Sequence, residues 1–174
     1  MLQAGTTRVA MIGVGNTLAT DDGIGILAVR IIRERFADER LCCLETERGG
    51  MDLLDMLTGF DAAVLVDASL SGQGPPGSFH ENILRSPFTP ATSRSLHTVD
   101  LCGLLAFGEA AGLPLPREIT ILAVEAADIE TFGEGCTPEV QRALPRLVER
   151  ATTLIQGFLP DAGLVRATEA ASHS

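Results

Sequence analysis

Short, continuous apolar runs constrain the fold of this chain more than any other feature. The clearest comprises residues 62–66 (AAVLV), and two similar runs comprise residues 8–13 (RVAMIG) and 118–124 (EITILAV). A strand that lacks polar alternation is covered on both faces, which is typical of parallel sheets with helices on either side. We therefore expect these three runs to form the interior of an α/β domain.

Segments with helical spacing separate the strands. Helices are predicted at residues 24–36, 51–57 and 96–110 and after Thr137, with Pro138 in the first turn. Further strands are predicted near residues 41–45 and 78–84. Because no helix separates residues 78–84 from the central run, that strand is expected to be antiparallel. The pattern predicts a three-layer α/β/α sandwich around a mostly parallel, mixed sheet of about five strands.

Length and composition limit the class of protein. The 174 residues fit a single domain, expected at residues 1–159, and a disordered tail is expected at residues 160–174. No apolar stretch approaches the roughly 20 residues of a membrane-spanning helix, and the N-terminus does not resemble a secretory signal, so a cytoplasmic protein is expected. A formal net charge of −10 disfavours nucleic acid as a partner. Without a long heptad pattern, a monomer is expected.

The segment after the first strand, residues 13–25 (GVGNTLATDDGIG), is rich in glycine and contains the adjacent Asp21 and Asp22. It resembles a dinucleotide-binding fingerprint only superficially, because Leu18 stands where G-x-G-x-x-G requires its third glycine. The simplest interpretation of Asp21 and Asp22 is that their carboxylates cap the next helix. A role in a binding site is the alternative.

Two further polar residues lie where α/β folds bind ligands. Asp67 directly follows a predicted central strand, at its carboxyl end, where it could cap a turn or contact a ligand. His97 lies at a predicted helix start, where the helix dipole favours the neutral imidazole that binds metals, although a lone histidine is more often structural. Two carboxylates and one imidazole are suitable ligands for a divalent transition metal.

Common hydrolytic motifs are missing from the sequence. It contains neither H-E-x-x-H nor G-x-S-x-G. Cys102 lies five residues after His97, so on a helix the two side chains point apart and do not form a nucleophilic pair. From the residues alone, the chain is an α/β protein with a candidate metal-contacting edge at Asp22, Asp67 and His97.

Five segments, in order, resemble the motifs of the nickel–iron hydrogenase maturation proteases. Residues 13–25 resemble the opening motif of that family, and the later matches are residues 50–54 (GMDLL), 66–68 (VDA), 95–97 (SLH) and 135–140 (GCTPEV). The chain departs from the family just before the second helix, where Thr46-Glu47-Arg48 replaces the usual glycines and threonine. That loop is expected to affect substrate preference.

The resemblance implies an α/β endopeptidase that removes a C-terminal extension from the precursor of the NiFe-hydrogenase large subunit. It also implies that Asp22, Asp67 and His97 contact the metal and carry the catalysis. The nickel would be supplied by the precursor and would not be bound permanently by the protease. The metal would either polarise the scissile carbonyl or activate a water, and one carboxylate could instead act as a general base.

Two other functions are compatible with the same residues. A non-enzymatic chaperone that checks the precursor for nickel would use the same edge, but it would not shorten the large subunit. A nucleotide-binding domain would instead be recognised by nucleotide binding to the purified protein.

Overall fold

The computed structural model describes residues 6–89 and 96–164, with side chains described for residues 6–89 and 101–164. The strands of this part of the chain are β1 (Val9–Val14), β2 (Leu41–Thr46), β3 (Ala62–Ser69), β4 (Phe79–Arg85) and β5 (Glu118–Glu125). The helices are α1 (Ile24–Arg35), α2 (Met51–Leu57), α3 (Leu96–Ala110) and α4 (Pro138–Phe158), and a 3-10 turn at Thr20–Gly23 precedes α1. Each predicted element is present, within a few residues of its expected bounds.

The strands form one mixed sheet in the order β2-β1-β3-β5-β4. Neighbouring strands are parallel from β2 through β5, whereas β4 pairs antiparallel with β5. The expected orientation of β4 is therefore confirmed. β1 lies between β2 and β3. The chain therefore passes from β1 to β2 on one side, and then crosses past β1 to β3 on the other side.

Helices cover both faces of the sheet. Val9 and Met11 of β1 point into a core formed with α1 and α4, whereas Ala10 and Ile12 point into a second core formed with α2 and α3. This alternation is expected for a strand whose successive side chains face opposite sides. The predicted three-layer α/β/α sandwich is confirmed.

Glycines allow α1 to begin directly against the sheet. A methyl group at Gly25 would overlap the carbonyl oxygens of Val14 and Val66, and one at Gly13 would overlap the backbone of Gly25. The start of α1 is therefore held between the carboxyl ends of β1 and β3. This close packing of helix on strand accounts for Gly13 and Gly25 of the first motif.

The buried carboxylate of Asp21 joins the turn after β1 to the loop between β5 and α4. It accepts hydrogen bonds from the N–H groups of Ala127 (2.8 Å), Asp128 (3.0 Å) and Thr137 (2.7 Å), and from the Thr137 hydroxyl (3.0 Å). Thr137 is the N-cap residue of α4, as predicted. The interpretation of Asp21 as a cap of its own helix is wrong, because its partners belong to the β5–α4 loop and to the start of α4.

The longest described helix, α4, is amphipathic. Its apolar residues at helical spacing, from Val140 to Ile155, are buried against the sheet, and it continues through Pro145 as a single helix. In the described part of the chain, neither α4 nor any other helix has the length and apolar character needed to cross a membrane.

The first residues after α4 contact the domain. Ala162 is buried, and Leu164 forms an antiparallel bridge with Phe36 at the end of α1. The rest of the expected tail, residues 165–174, lies outside the described residues. The expected domain boundary at residue 159 stays a prediction.

Asp21→Asn should destabilise the fold. The amide replaces one acceptor oxygen with a donor, so buried N–H groups of the β5–α4 loop lose their partner, at a cost of about 2–3 kcal/mol in the free energy of unfolding. Urea denaturation followed by far-ultraviolet circular dichroism measures the change. Asp55→Asn, on the exposed face of α2, is the matched control and should stay within about 0.5 kcal/mol of wild type. Equal stability of the two variants would contradict the assigned role of Asp21.

Candidate active site

A cleft of about 410 Å³ opens at the carboxyl edge of the sheet. Its lining residues come from β1, β3, β5, α2, α3 and two loops: Val14, Gly15, Asp22, Glu47, Gly49, Gly50, Leu53, Leu65, Asp67, Ala68, Ser69, Leu101, Leu104, Ile121 and Ala123. The cleft lies where the chain leaves β1 in one direction and returns to β3 on the other side. Open α/β sheets bind ligands at this switch point.

Asp67 lies in the cleft, half-buried, but inside a strand and not after one. The strand β3 continues to Ser69, and Asp67 pairs in register with Ala123 of β5. Asp67 lies two positions after Leu65 in the strand, so both side chains point to the face that α2 and α3 cover. The expectation that the strand ends before Asp67 is wrong, because pairing with β5 continues for two residues beyond it.

Asp22 lies in the 3-10 turn that follows β1, and it lines the same cleft. Its Oδ2 accepts a hydrogen bond of 2.7 Å from the N–H of Asn16. Gly15 has a φ of +132° and faces the Asp22 carbonyl so closely that a side chain there would overlap it. The N-cap of α1 is Gly23, so the simple capping interpretation is wrong for Asp22 as well.

The turn that carries Asp22 is held in an unfavourable backbone conformation. Thr20 has a φ of +43°, in the left-handed region that β-branched residues rarely adopt. Its hydroxyl lies 3.0 Å from the carbonyl oxygens of both Asp128 and Thr131, and its N–H donates to Gly133 at 3.2 Å. These contacts with the β5–α4 loop stabilise the turn, and together with the Asp21 carboxylate they fix the backbone at Asp22.

His97 is the second residue of α3. Leu101 and Leu104, four and seven residues later in the same helix, line the cleft. The first turns of α3 therefore run beside the cleft. The side chain of His97 lies outside the described residues, so its position in the site stays a prediction.

Glu47 was not among the predicted site residues, yet it lines the cleft. It is exposed and follows β2, which is the parallel neighbour of β1. Its position just beyond the carboxyl end of a strand was the signal that could have identified it. Among the described side chains, no three His, Cys, Asp or Glu residues form a group that could hold a metal ion.

Two cysteines are poorly suited to act as nucleophiles. Burial raises the pKa of the Cys43 thiol to about 11, and burial together with the nearby charge of Asp21 raises that of Cys136 to about 11. Both thiols are therefore protonated at neutral pH, and the thiolate is the nucleophilic form. Cys102 is buried on α3. The carboxylates are the better candidates for chemistry in this cleft.

The family model for HycI, hydrogenase maturation protease, matches residues 26–154 of the chain. The match spans well over half of the sequence and includes Asp67 and His97, and it begins four residues after Asp22. In sequence, the chain is 28% identical over 170 residues to the hydrogenase 2 maturation protease of Escherichia coli, covering 95% of this chain and 99% of that relative.

Solved structures of the same kind share the fold. The hydrogenase maturating endopeptidase HybD from E. coli superposes with a TM-score of 0.70 at 25% identity, covering 91% of this chain and 97% of that one. A hydrogenase 2 maturation peptidase from a Thaumarchaeota archaeon gives a TM-score of 0.65 at 25% identity, covering 86% and 98%. With the family match and the cleft between β1 and β3, these similarities show that the chain belongs to the hydrogenase maturation protease family.

Proposed function

We propose that this protein is an endopeptidase that removes a C-terminal extension from the nickel-loaded precursor of the NiFe-hydrogenase large subunit. One observation carries the proposal: in a chain of this family, Asp22, in the turn that follows β1, and Asp67, within the neighbouring parallel strand β3, line one cleft. A family relative in E. coli is named as the maturation protease of hydrogenase 2.

Nickel enters this proposal as part of the substrate. Asp22, Asp67 and His97 would supply two carboxylates and one imidazole, a donor set that suits a divalent transition metal. The described side chains do not form a group of three potential ligands by themselves. The side chain of His97 lies outside the described residues. In this proposal the precursor would bring the ion together with the ligands that already hold it.

The chain's own residues would bind and orient the scissile segment. Asp67 is held by its strand pairing with Ala123 of β5, and Asp22 by the hydrogen bond from Asn16. The ion supplies Lewis acid chemistry, either polarising the carbonyl or activating a water. If the ion only polarises the carbonyl, one of the two carboxylates would act as the general base for the attacking water.

The shape of the cleft fits a short piece of polypeptide. Its volume of about 410 Å³ lies in the range of clefts that bind small ligands, about 300–1,000 Å³. Leu53, Leu101 and Leu104 give it apolar walls, and the carboxylates supply the polar groups. The proposal includes a monomer that acts in the cytoplasm, where the precursor would be processed.

A processing assay tests the proposal. The purified protein is incubated with a large-subunit precursor of its own organism, either nickel-loaded or nickel-free, and intact masses are measured. A single loss of a short C-terminal fragment is expected only from the nickel-loaded form. If the nickel-loaded precursor binds but is never shortened, the non-enzymatic chaperone becomes the better description.

Asp22→Asn, Asp67→Asn and His97→Ala should each abolish processing. Loss of one metal-contacting group costs several kcal/mol of transition-state stabilisation, which corresponds to more than about a hundredfold in rate. Initial rates of fragment release measure the loss, and circular dichroism checks that each variant is folded. Asp55→Asn, an exposed change on α2, should process at the wild-type rate. Full activity of the His97 variant would exclude that residue from the site.

A further inference from the structure

Several large exposed apolar side chains lie in segments that line the cleft or pair with such a segment. Among the described residues, we define an apolar rim as Leu18, Met51, Leu70 and Phe132, whose side chains are about half exposed or more. Met51 follows Gly50 and Leu70 follows Ser69, and both of those preceding residues line the cleft. Leu18 lies between Gly15 and Asp22, which also line it. Three members of the rim therefore lie in segments that line the cleft: Leu18 in the β1–α1 loop, Met51 at the start of α2 and Leu70 directly after β3.

Phe132 is the most exposed member of the rim, at 84%. The backbone on both sides of it is fixed, because the Thr20 hydroxyl lies 3.0 Å from the carbonyl oxygen of Thr131, and the Gly133 N–H donates to Leu18 at 3.0 Å. A phenyl ring presented to water from a hydrogen-bonded loop contributes little to the stability of the monomer. The backbone that carries the ring is already held in place, which lowers the entropic cost of binding a partner.

The same hydrogen bonds place Leu18 and Phe132 on neighbouring loops. Ala19 and Gly133 form a parallel β-bridge. The residues that precede them, Leu18 and Phe132, are therefore neighbours across the two loops. Asp22 lies three residues after Ala19. A partner that covers this pair would lie next to the candidate catalytic carboxylate.

Exposed acidic residues border the rim. Glu130 and Glu134 flank Phe132, and Glu47 lies four residues before Met51. In the described loops that carry the rim, at residues 15–19, 46–50, 70–78 and 126–137, Arg48 is the one basic residue. The charge pattern fits a partner surface with an apolar centre and a basic border.

We infer that the apolar rim is the docking surface for the folded body of the large-subunit precursor. This inference rests on the proposed function and adds a second area of contact to it. The cleft holds only a short segment, so the remainder of a protein substrate must lie over the loops around the mouth. The partner face would present apolar residues to Leu18 and Phe132 and lysine or arginine side chains to Glu47, Glu130 and Glu134.

Steady-state processing of the nickel-loaded precursor tests the inference. Phe132→Ser and Leu18→Ser should each raise KM roughly tenfold, the size of effect seen when an exposed anchor of an interface is truncated. The kcat at saturating precursor should stay near the wild-type value, because neither side chain belongs to the catalytic set. The wild-type KM should also rise with salt, since the acidic border would be screened. Both variants should unfold at the wild-type temperature, as their side chains are exposed.

Phe107→Ser is the matched control. Phe107 is 60% exposed on α3. Two residues later, Glu109 accepts a hydrogen bond from the N–H of Phe88, which follows β4 at the sheet edge opposite the cleft. Its KM should equal that of wild type. If wild-type protein processes the precursor while both rim variants keep the wild-type KM, the docking inference is overturned and the proposed function stands. If wild-type protein neither binds nor processes the precursor, the proposed function is overturned and the docking inference with it.

Discussion

The buried carboxylate of Asp21 is the interaction on which the candidate site depends. It joins two segments more than a hundred residues apart in sequence, the turn after β1 and the loop before α4. Four hydrogen bonds to one carboxylate offset the cost of burying its charge. Because Asp22 is the next residue, the same interaction fixes the direction in which the chain presents it to the cleft.

Two adjacent aspartates thus have different roles, and their surroundings decide which is which. Asp21 is fully buried and its carboxylate accepts hydrogen bonds from the β5–α4 loop and the start of α4, whereas Asp22 is half-buried and lines the cleft. An aspartate carboxylate accepts hydrogen bonds equally well in a buried and in a half-buried position. Both follow the left-handed backbone of Thr20, and there one carboxylate is directed inward while the next residue lines the cleft.

The elements of the fold were predictable because apolar runs and helical spacing are local signals. The antiparallel β4 followed from the lack of a crossover helix. Less could be predicted about the site. Asp67 was expected to follow its strand because a charged residue after an apolar run resembles an end, yet β3 continues by pairing with β5. Glu47 follows β2 directly and was missed although that position is a local signal. The partners of Asp21 could not be predicted, since these contacts form only when distant loops meet.

The two carboxylates of the cleft are held by different means, and this has an evolutionary consequence. Asp67 belongs to a strand with neighbours on both sides, so its position is inherited with the sheet. Asp22 is positioned by a loop that includes Phe132, the most exposed apolar residue of the rim. Insertions or deletions in residues 126–137 would therefore change partner recognition and the spacing of the carboxylates together, while the strands stay intact. Exchange of the exposed Phe132 side chain alone would change recognition only. Divergence within such a family would be expected to concentrate in that loop, where a new partner and a retuned site can be acquired in the same step.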